Sequence, residues 1–201
     1  MSAVQIQGNA SGTGTLTVAA PSTNTNRTLT LPDGTGTFSV AGVNSNIVAG
    51  TAQNSTSGTA VDFTGIPSWV KRITILFNGV STGGTSDPIV QIGAGSNTST
   101  GYASSCVYGG ATTGGSSTTG GFLYATSVTA ASQIYGTMIL NLYGGNTWFS
   151  TGTTAYNIAT PNAFVMSFTG AKTLTGTLDR VRITSISSDT FDAGAINILY
   201  E

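Results

Sequence analysis

The stretch RITILFNGV, residues 72–80, alternates apolar and polar side chains with the two-residue period of a β-strand. Ile73, Ile75 and Phe77 would lie on one face of that strand, and Leu76 would lie on the other. The same period recurs in TMILNLY, residues 137–143, and in AINILY, residues 195–200. Since no stretch has a convincing helical period, we predict an all-β protein.

The composition agrees with this prediction. Thr (36), Ser (23) and Gly (28) make up about 43% of the 201 residues, and 39% of the chain is hydrophobic. Threonine and aromatic residues favour strands, while glycine favours turns. Charged residues are 6% of the chain, against about a quarter in an average domain. Six Lys and Arg and a net charge of −1 argue against a nucleic-acid-binding protein, which needs a basic surface.

The chain is expected to divide into a short N-terminal β segment for attachment or as a shaft (residues 1–43), a linker (44–58) and a larger β unit (59–201). The N-terminal segment contains three strand-like runs at residues 14–19, 27–31 and 36–43. These runs offer too few apolar side chains to fold alone, so we expect them to be buried around a symmetry axis between copies of the chain. The residues expected at this interface are Leu16, Val18, Leu29, Leu31, Phe38 and Val40.

The larger unit is predicted to be a β-sandwich with a jelly-roll-like arrangement, because short strands alternate with turn signals at regular spacing. The predicted strands are residues 60–63, 72–80, 89–93, 102–108, 122–129, 136–143, 147–151, 163–168, 178–185 and 195–200. The low-complexity stretch GGATTGGSSTTGG, residues 109–121, is expected to be a loop that is mobile or lies against a neighbouring subunit. Strands that are apolar on both faces have two explanations: a covered outer face within the sandwich, or contact with another copy.

The sequence lacks the residue types that several classes of catalytic and metal site require. The chain has no His, which removes the Ser-His-Asp triad and His-based metal sites, and its single Cys106 removes cysteine-rich metal centres. The pair Asp189 and Asp192 fits a turn that caps its own backbone. We therefore expect no catalytic residues, no metal and no cofactor. The sequence also lacks a secretory signal and a membrane-spanning run, which predicts a protein made in the cytosol without insertion into a membrane.

Aromatic side chains are the remaining candidates for function. Tyr143, Trp148, Phe149 and Tyr156 lie in or near the turn signal YGGNT, and aromatic rings beside Asn and Gly suit the faces of sugars. We name these four residues as candidate contacts to a receptor or glycan, with a role in the core as the alternative for each. Trp69 is expected to plug the edge of the sandwich.

The segment GTGTLTVAAPSTNTNRTLTLPDGTGTF, residues 12–38, resembles a short module of tail-fibre and other virion proteins of tailed bacteriophages. The matching positions carry the pattern Gly-x-Leu-x-Val-x-x-Pro, then Leu-Thr-Leu-Pro and Gly-Thr-Phe. Residues 62–86 (DFTGIPSWVKRITILFNGVSTGGTS) and 179–201 (DRVRITSISSDTFDAGAINILYE) are also similar to phage structural proteins.

The resemblance implies a non-enzymatic viral structural protein: a homotrimeric tail fibre, assembled in the host cytoplasm and carried by the virion. Its N-terminal segment would attach to tail or baseplate proteins. Its C-terminal knob would contact a glycan or protein on the host surface. The alternative is a capsid-decorating or head-fibre protein. A glycan-cleaving spike is disfavoured, because the acidic clusters of such proteins are missing.

Overall fold

The computed structural model describes Ser11, Thr13 and residues 24–26, 47–110, 112–157 and 163–201. The chain divides into two compact units, Met1–Ser39 and Val40–Glu201. The first unit contributes a turn residue at Ser11 and a bend at residues 24–25. Leu16, Val18, Leu29, Leu31, Phe38 and Val40 lie outside the described residues, so the predicted N-terminal interface stays a prediction.

The second unit is all-β. Its described residues form strands and turns with no helix, and the paired strands run antiparallel. The strands are β1 (Val48–Ala49), β2 (Gln53–Asn54), β3 (Val61–Thr64), β4 (Arg72–Thr82), β5 (Pro88–Ala94), β6 (Ser96–Asn97), β7 (Ala103–Gly109), β8 (Gly114–Thr118), β9 (Phe122–Leu123), β10 (Gln133–Gly144), β11 (Thr147–Asn157), β12 (Ala163–Thr173), β13 (Arg180–Ser185) and β14 (Phe191–Tyr200).

The strands make two sheets. The large sheet has the order β1-β14-β4-β10-β11-β12-β7-β8, with β2 also paired to β14. The small sheet has the order β3-β13-β5-β6, with β9 also paired to β5. Buried residues of both sheets form one apolar cluster, so the unit is a sandwich around a shared core.

The alternation in the sequence decides which residues fill that core. Ile73, Ile75, Met138 and Leu140 have no exposed surface, as the two-residue period predicts. Each such side chain stabilises the fold by about 1.5–3 kcal/mol through burial alone. Leu76, on the opposite face of β4, is half-buried on the outer face of the large sheet.

The antiparallel register places particular residues at the two ends of the sandwich. At one end, which we call the hairpin end, β4 begins, β14 ends, and the turn at residues 144–146 joins β10 to β11. At the other end, the far end, β4 and β13 finish and β5 begins. Val48 pairs with Tyr200, so the described chain enters the sandwich at the hairpin end.

Part of the expected linker is sheet. Residues 48–49 and 53–54 pair with β14, and the buried Ser55 donates its hydroxyl proton to the carbonyl oxygen of Ala193 at 2.8 Å. Polar sequence does not prevent this pairing, because an edge strand bonds through its backbone.

The glycine-rich stretch 109–121 also differs from the expected loop. Residues 114–118 form β8, an edge strand whose partner is β7. Glycine and serine carry no apolar signal, yet their backbone groups can still complete a sheet.

The predicted strand at residues 122–129 is shorter than expected. Its first two residues form β9 in the small sheet, and β10, the next strand along the chain, belongs to the large sheet. The intervening segment must therefore leave one sheet for the other. It carries Tyr124, Ala125 and Thr126 through the core in buried, non-strand conformations. An apolar run alone does not distinguish this crossing from a buried strand.

Candidate functional site

The hairpin end presents an exposed aromatic pair. Tyr143 is 78% exposed and Phe149 is 42% exposed, and their ring centroids lie 5.3 Å apart with the planes tilted by 41°. The two residues flank the β10–β11 turn, so the backbone of a tight hairpin places both rings at the same end of the sandwich. Each ring rotates about only two side-chain bonds, which limits the conformational entropy lost when a ligand packs on it.

Small and polar side chains surround this pair. Asn141 and Ala171 are the cross-strand neighbours of Phe149 on the same face. Beyond them, the hydroxyl groups of Thr147 and Thr173 share a hydrogen bond of 2.9 Å. An apolar platform beside an amide and hydroxyl groups matches a sugar, which has an apolar face and a rim of hydroxyls.

Trp148 and Tyr156 correct the sequence prediction of sugar contact. Each is only 2% exposed, because both point from β11 into the core. The hydroxyl of Tyr156 donates to the backbone oxygen of Ser127 at 3.0 Å, and its ring lies 5.3 Å from that of Phe164. Burial raises the pKa of Tyr156 above its ordinary value. The alternative core role is the one that these two residues have.

Trp69, expected to plug the edge of the sandwich, lies at its hairpin end and stays half-exposed. It is 51% exposed at the hairpin end, where its ring lies 5.9 Å from that of Tyr200. Nearby, Arg72 forms an ion pair of 2.9 Å with Glu201. The hairpin end therefore presents two aromatic pairs. The sequence grouped Tyr143 with Phe149, but it did not indicate that Trp69 lies beside Tyr200.

The ionised side chains of the small sheet form ion pairs with one another. Asp62 accepts two hydrogen bonds from Arg182, at 2.8 and 2.7 Å, and Asp179 is held by Arg180 at 2.8 Å. These arginine hydrogen bonds lower the pKa of both carboxyl groups. A general acid for glycoside hydrolysis needs a raised pKa, so that it stays protonated at neutral pH. Neither carboxyl group therefore suits that role.

One member of the acidic pair Asp189 and Asp192 braces a neighbouring loop. Asp189, in the β13–β14 connection, accepts a hydrogen bond of 2.9 Å from the backbone N–H of Ser86, while Asp192 is exposed on β14. Within the described ranges, no three His, Cys, Asp or Glu side chains are grouped so that they could hold a metal ion.

The single thiol is enclosed by the core. Cys106 is fully buried, and burial raises its pKa to about 12. It is therefore neither a nucleophile nor a reactive thiol in the folded protein.

In the part of the chain that the structure describes, no helix has the length and hydropathy to cross a bilayer. The chain matches no protein-family model, no curated protein and no solved structure.

Proposed function

We propose that this protein is a non-enzymatic structural protein of a bacteriophage virion. In the leading form of the proposal it is a trimeric tail fibre that attaches by its N-terminal segment and contacts the host surface through its C-terminal sandwich. The resemblance of residues 12–38, 62–86 and 179–201 to phage structural proteins supports the virion part of the proposal.

The observation that carries the contact role is the exposed pair of Tyr143 and Phe149. Large apolar rings normally lie in the core, and those that remain exposed side by side mark contact surfaces more often than isolated ones do. Asn141 and the threonine hydroxyls nearby provide the polar rim that a sugar or a polar protein surface requires.

The outer face of the large sheet supports association between copies. Six of its strands, β14, β4, β10, β11, β12 and β7, are 7 to 12 residues long. At about 4.8 Å between strands and about 3.4 Å per residue, they cover about 1,000 Å². A standard interface needs about 800 Å² per partner. The outward-facing side chains of the four strands β10, β11, β12 and β7 are uncharged. They include Tyr135, Thr137, Ile139, Asn141, Phe149, Thr151, Thr153, Ala155, Val165, Ser167, Thr169, Ala171, Ala103, Ser105 and Val107.

One feature favours the alternative, a capsid-decorating or head-fibre protein. The described chain enters the sandwich at Val48, at the same end as Tyr143 and Phe149. If the preceding residues attach to the particle, an aromatic pair at this end suits contact with the capsid as well as with a cell.

The test compares binding of the full-length protein to bacterial cells and to empty capsids. The variant Tyr143→Ser removes one ring of the pair, and Thr64→Ala is its control, because Thr64 is an exposed residue of the small sheet, away from the aromatic pair and from the outer face of the large sheet. We expect a tail fibre to bind cells, and Tyr143→Ser to weaken that binding at least tenfold while Thr64→Ala leaves it unchanged.

Binding to capsids instead of cells would establish the alternative. Binding to neither would refute the virion proposal. Equal binding by both variants would refute the role of the aromatic pair. Electron microscopy of the same preparation tests the subunit number, since a compact monomer would contradict the trimer.

A further inference from the structure

A polar groove of about 340 Å³ lies on the outer face of the small sheet, on the opposite side of the sandwich from the uncharged face of the large sheet. Its floor is formed by Gln91, Arg182 and Thr184 on the neighbouring strands β5 and β13. Ser99 and Gly120 line one side, and the β13–β14 connection around Ile186 lines the end. The volume falls in the range of small-molecule sites, about 300–1,000 Å³.

A row of planar polar side chains crosses the outer face of the small sheet and enters the groove at Arg182 and Gln91. Asp62, Arg182 and Gln91 are direct cross-strand neighbours on β3, β13 and β5, so the antiparallel register places them side by side. Only 6% of the chain is charged, so a charged pair beside an amide on neighbouring strands is a distinctive feature of this face.

Hydrogen bonds fix these side chains before any ligand arrives. Nε and Nη2 of Arg182 donate to the two carboxylate oxygens of Asp62 at 2.8 and 2.7 Å. The amide nitrogen of Gln91 donates to the backbone oxygen of Gly120 at 2.9 Å. Side chains held in this way bind a ligand with little further loss of rotamer entropy.

The same contacts leave hydrogen-bonding capacity in the groove. Arg182 uses Nε and Nη2 for Asp62, so the two N–H groups of Nη1 remain as donors. The two side chains are more than a third exposed, which leaves the ion pair accessible. The Gln91 amide oxygen has lone pairs for accepting hydrogen bonds, and the hydroxyl of Ser99 can donate or accept. The carboxylate of Asp62 lies beside the groove as the partner of Arg182.

The charge balance selects the class of ligand. The positive charge of Arg182 is compensated by Asp62, whose pKa is lowered by this pairing, so the floor has no net charge to attract an anion. Adjacent donors and acceptors on planar groups match vicinal hydroxyls. The half-exposed Ile186 adds an apolar contact for the C–H face of a sugar ring. We infer that this groove is a binding site for a neutral saccharide.

This inference goes beyond the proposed role of the hairpin end, because the groove lies on another sheet and extends toward the far end. The experiment titrates the full-length protein with neutral gluco-, galacto- and manno-oligosaccharides, and with sialylated and sulfated oligosaccharides for comparison. Saturation-transfer NMR and calorimetry report binding. We expect a neutral saccharide to bind and the charged ones to bind more weakly.

Two exposed positions on the same side of the sandwich give a matched pair of variants. Ser99→Trp fills the groove, and Thr64→Trp places the same ring on the small sheet outside it. Ser99→Trp should raise the Kd about tenfold or more, while Thr64→Trp leaves it unchanged, with both melting as the wild type does. Arg182→Lys, which keeps the charge but loses the guanidinium geometry, should also weaken binding about tenfold.

The inference is overturned if no neutral saccharide in the set binds, if charged ones bind better, or if Ser99→Trp and Thr64→Trp bind alike. Because these measurements use purified protein and saccharide alone, the proposed host attachment can fail without affecting them.

Discussion

Removing the hydroxyl group should change the stability of the protein in opposite directions at Tyr124 and at Tyr102. The ring of Tyr124 is fully buried and stacks on Phe77, with centroids 4.2 Å apart and planes within 7°. Its hydroxyl oxygen is buried and has no hydrogen-bond partner among the described residues. A buried polar group without a partner costs about 1–3 kcal/mol. Tyr124→Phe keeps the stacked ring and removes that cost, so we expect the variant to be more stable by about this amount.

Tyr102 is the matched control, since it is also a buried tyrosine of the core. Its hydroxyl accepts a hydrogen bond from the backbone N–H of Ile92 at 2.8 Å and donates to the backbone oxygen of Thr98 at 2.9 Å. Tyr102→Phe leaves both backbone groups without this partner, so we expect a loss of about 1–3 kcal/mol.

The assay is urea or thermal unfolding of the wild type and both variants at one protein concentration, because association shifts apparent stability. For a chain of this size, each 1 kcal/mol corresponds to a change in Tm of about 2–4 °C. The expected result is a higher Tm for Tyr124→Phe and a lower one for Tyr102→Phe. A lower Tm for Tyr124→Phe would refute the reasoning, since it would mean that the hydroxyl makes a stabilising hydrogen bond in the folded protein.

Three further predictions follow from burial and charge. Trp148→Ala should lower the free energy of unfolding by about 3–5 kcal/mol, because Trp148 is buried in the core. Phe149→Ala, on the exposed face, should lower it far less. Equal losses would contradict the assignment of the two side chains to opposite faces. The pKa of Asp62 in the folded protein lies below its ordinary 3.8, so its pairing with Arg182 stabilises the protein above that pH and the contribution is lost as the pH falls through the lowered pKa. Asp62→Asn should therefore reduce the drop in Tm that the wild type shows below about pH 4, and an unchanged drop would contradict this. The thiol of Cys106, with a pKa of about 12, should resist alkylation at pH 8 until the protein is unfolded, and rapid labelling of native protein would disprove its burial.

Much of the sandwich could be predicted because its central strands carry apolar residues at a two-residue period, even where the other face is apolar as well. Ile73, Ile75, Met138 and Leu140 show their period in the sequence, and all four are core residues. The edges could not be predicted in this way. β8 contains only Gly, Ser and Thr, so its side chains show no apolar period. It is a strand because its backbone pairs with β7, and backbone pairing cannot be read from side-chain types.

One part of the candidate site could be predicted from the sequence, and another part could not. Trp148 and Phe149 are consecutive, so a strand must turn them to opposite faces. The sequence does not say which ring points inward, because that depends on the register of the hairpin. Trp148 pairs with Leu142, which shares the inward face of Met138 and Leu140, and this pairing puts Phe149 outside beside Tyr143.

The pairing of Val48 with Tyr200 has a mechanical consequence. The two residues are neighbours on antiparallel strands at one end of the sandwich. A tensile force applied to the chain at these two points would therefore separate the two residue pairs of β1 and β14 one after the other, beginning with Val48 and Tyr200. A force applied between Val48 and a residue of the far end would load both pairs together. This edge of the sandwich should therefore yield at a lower force in the first geometry than in the second.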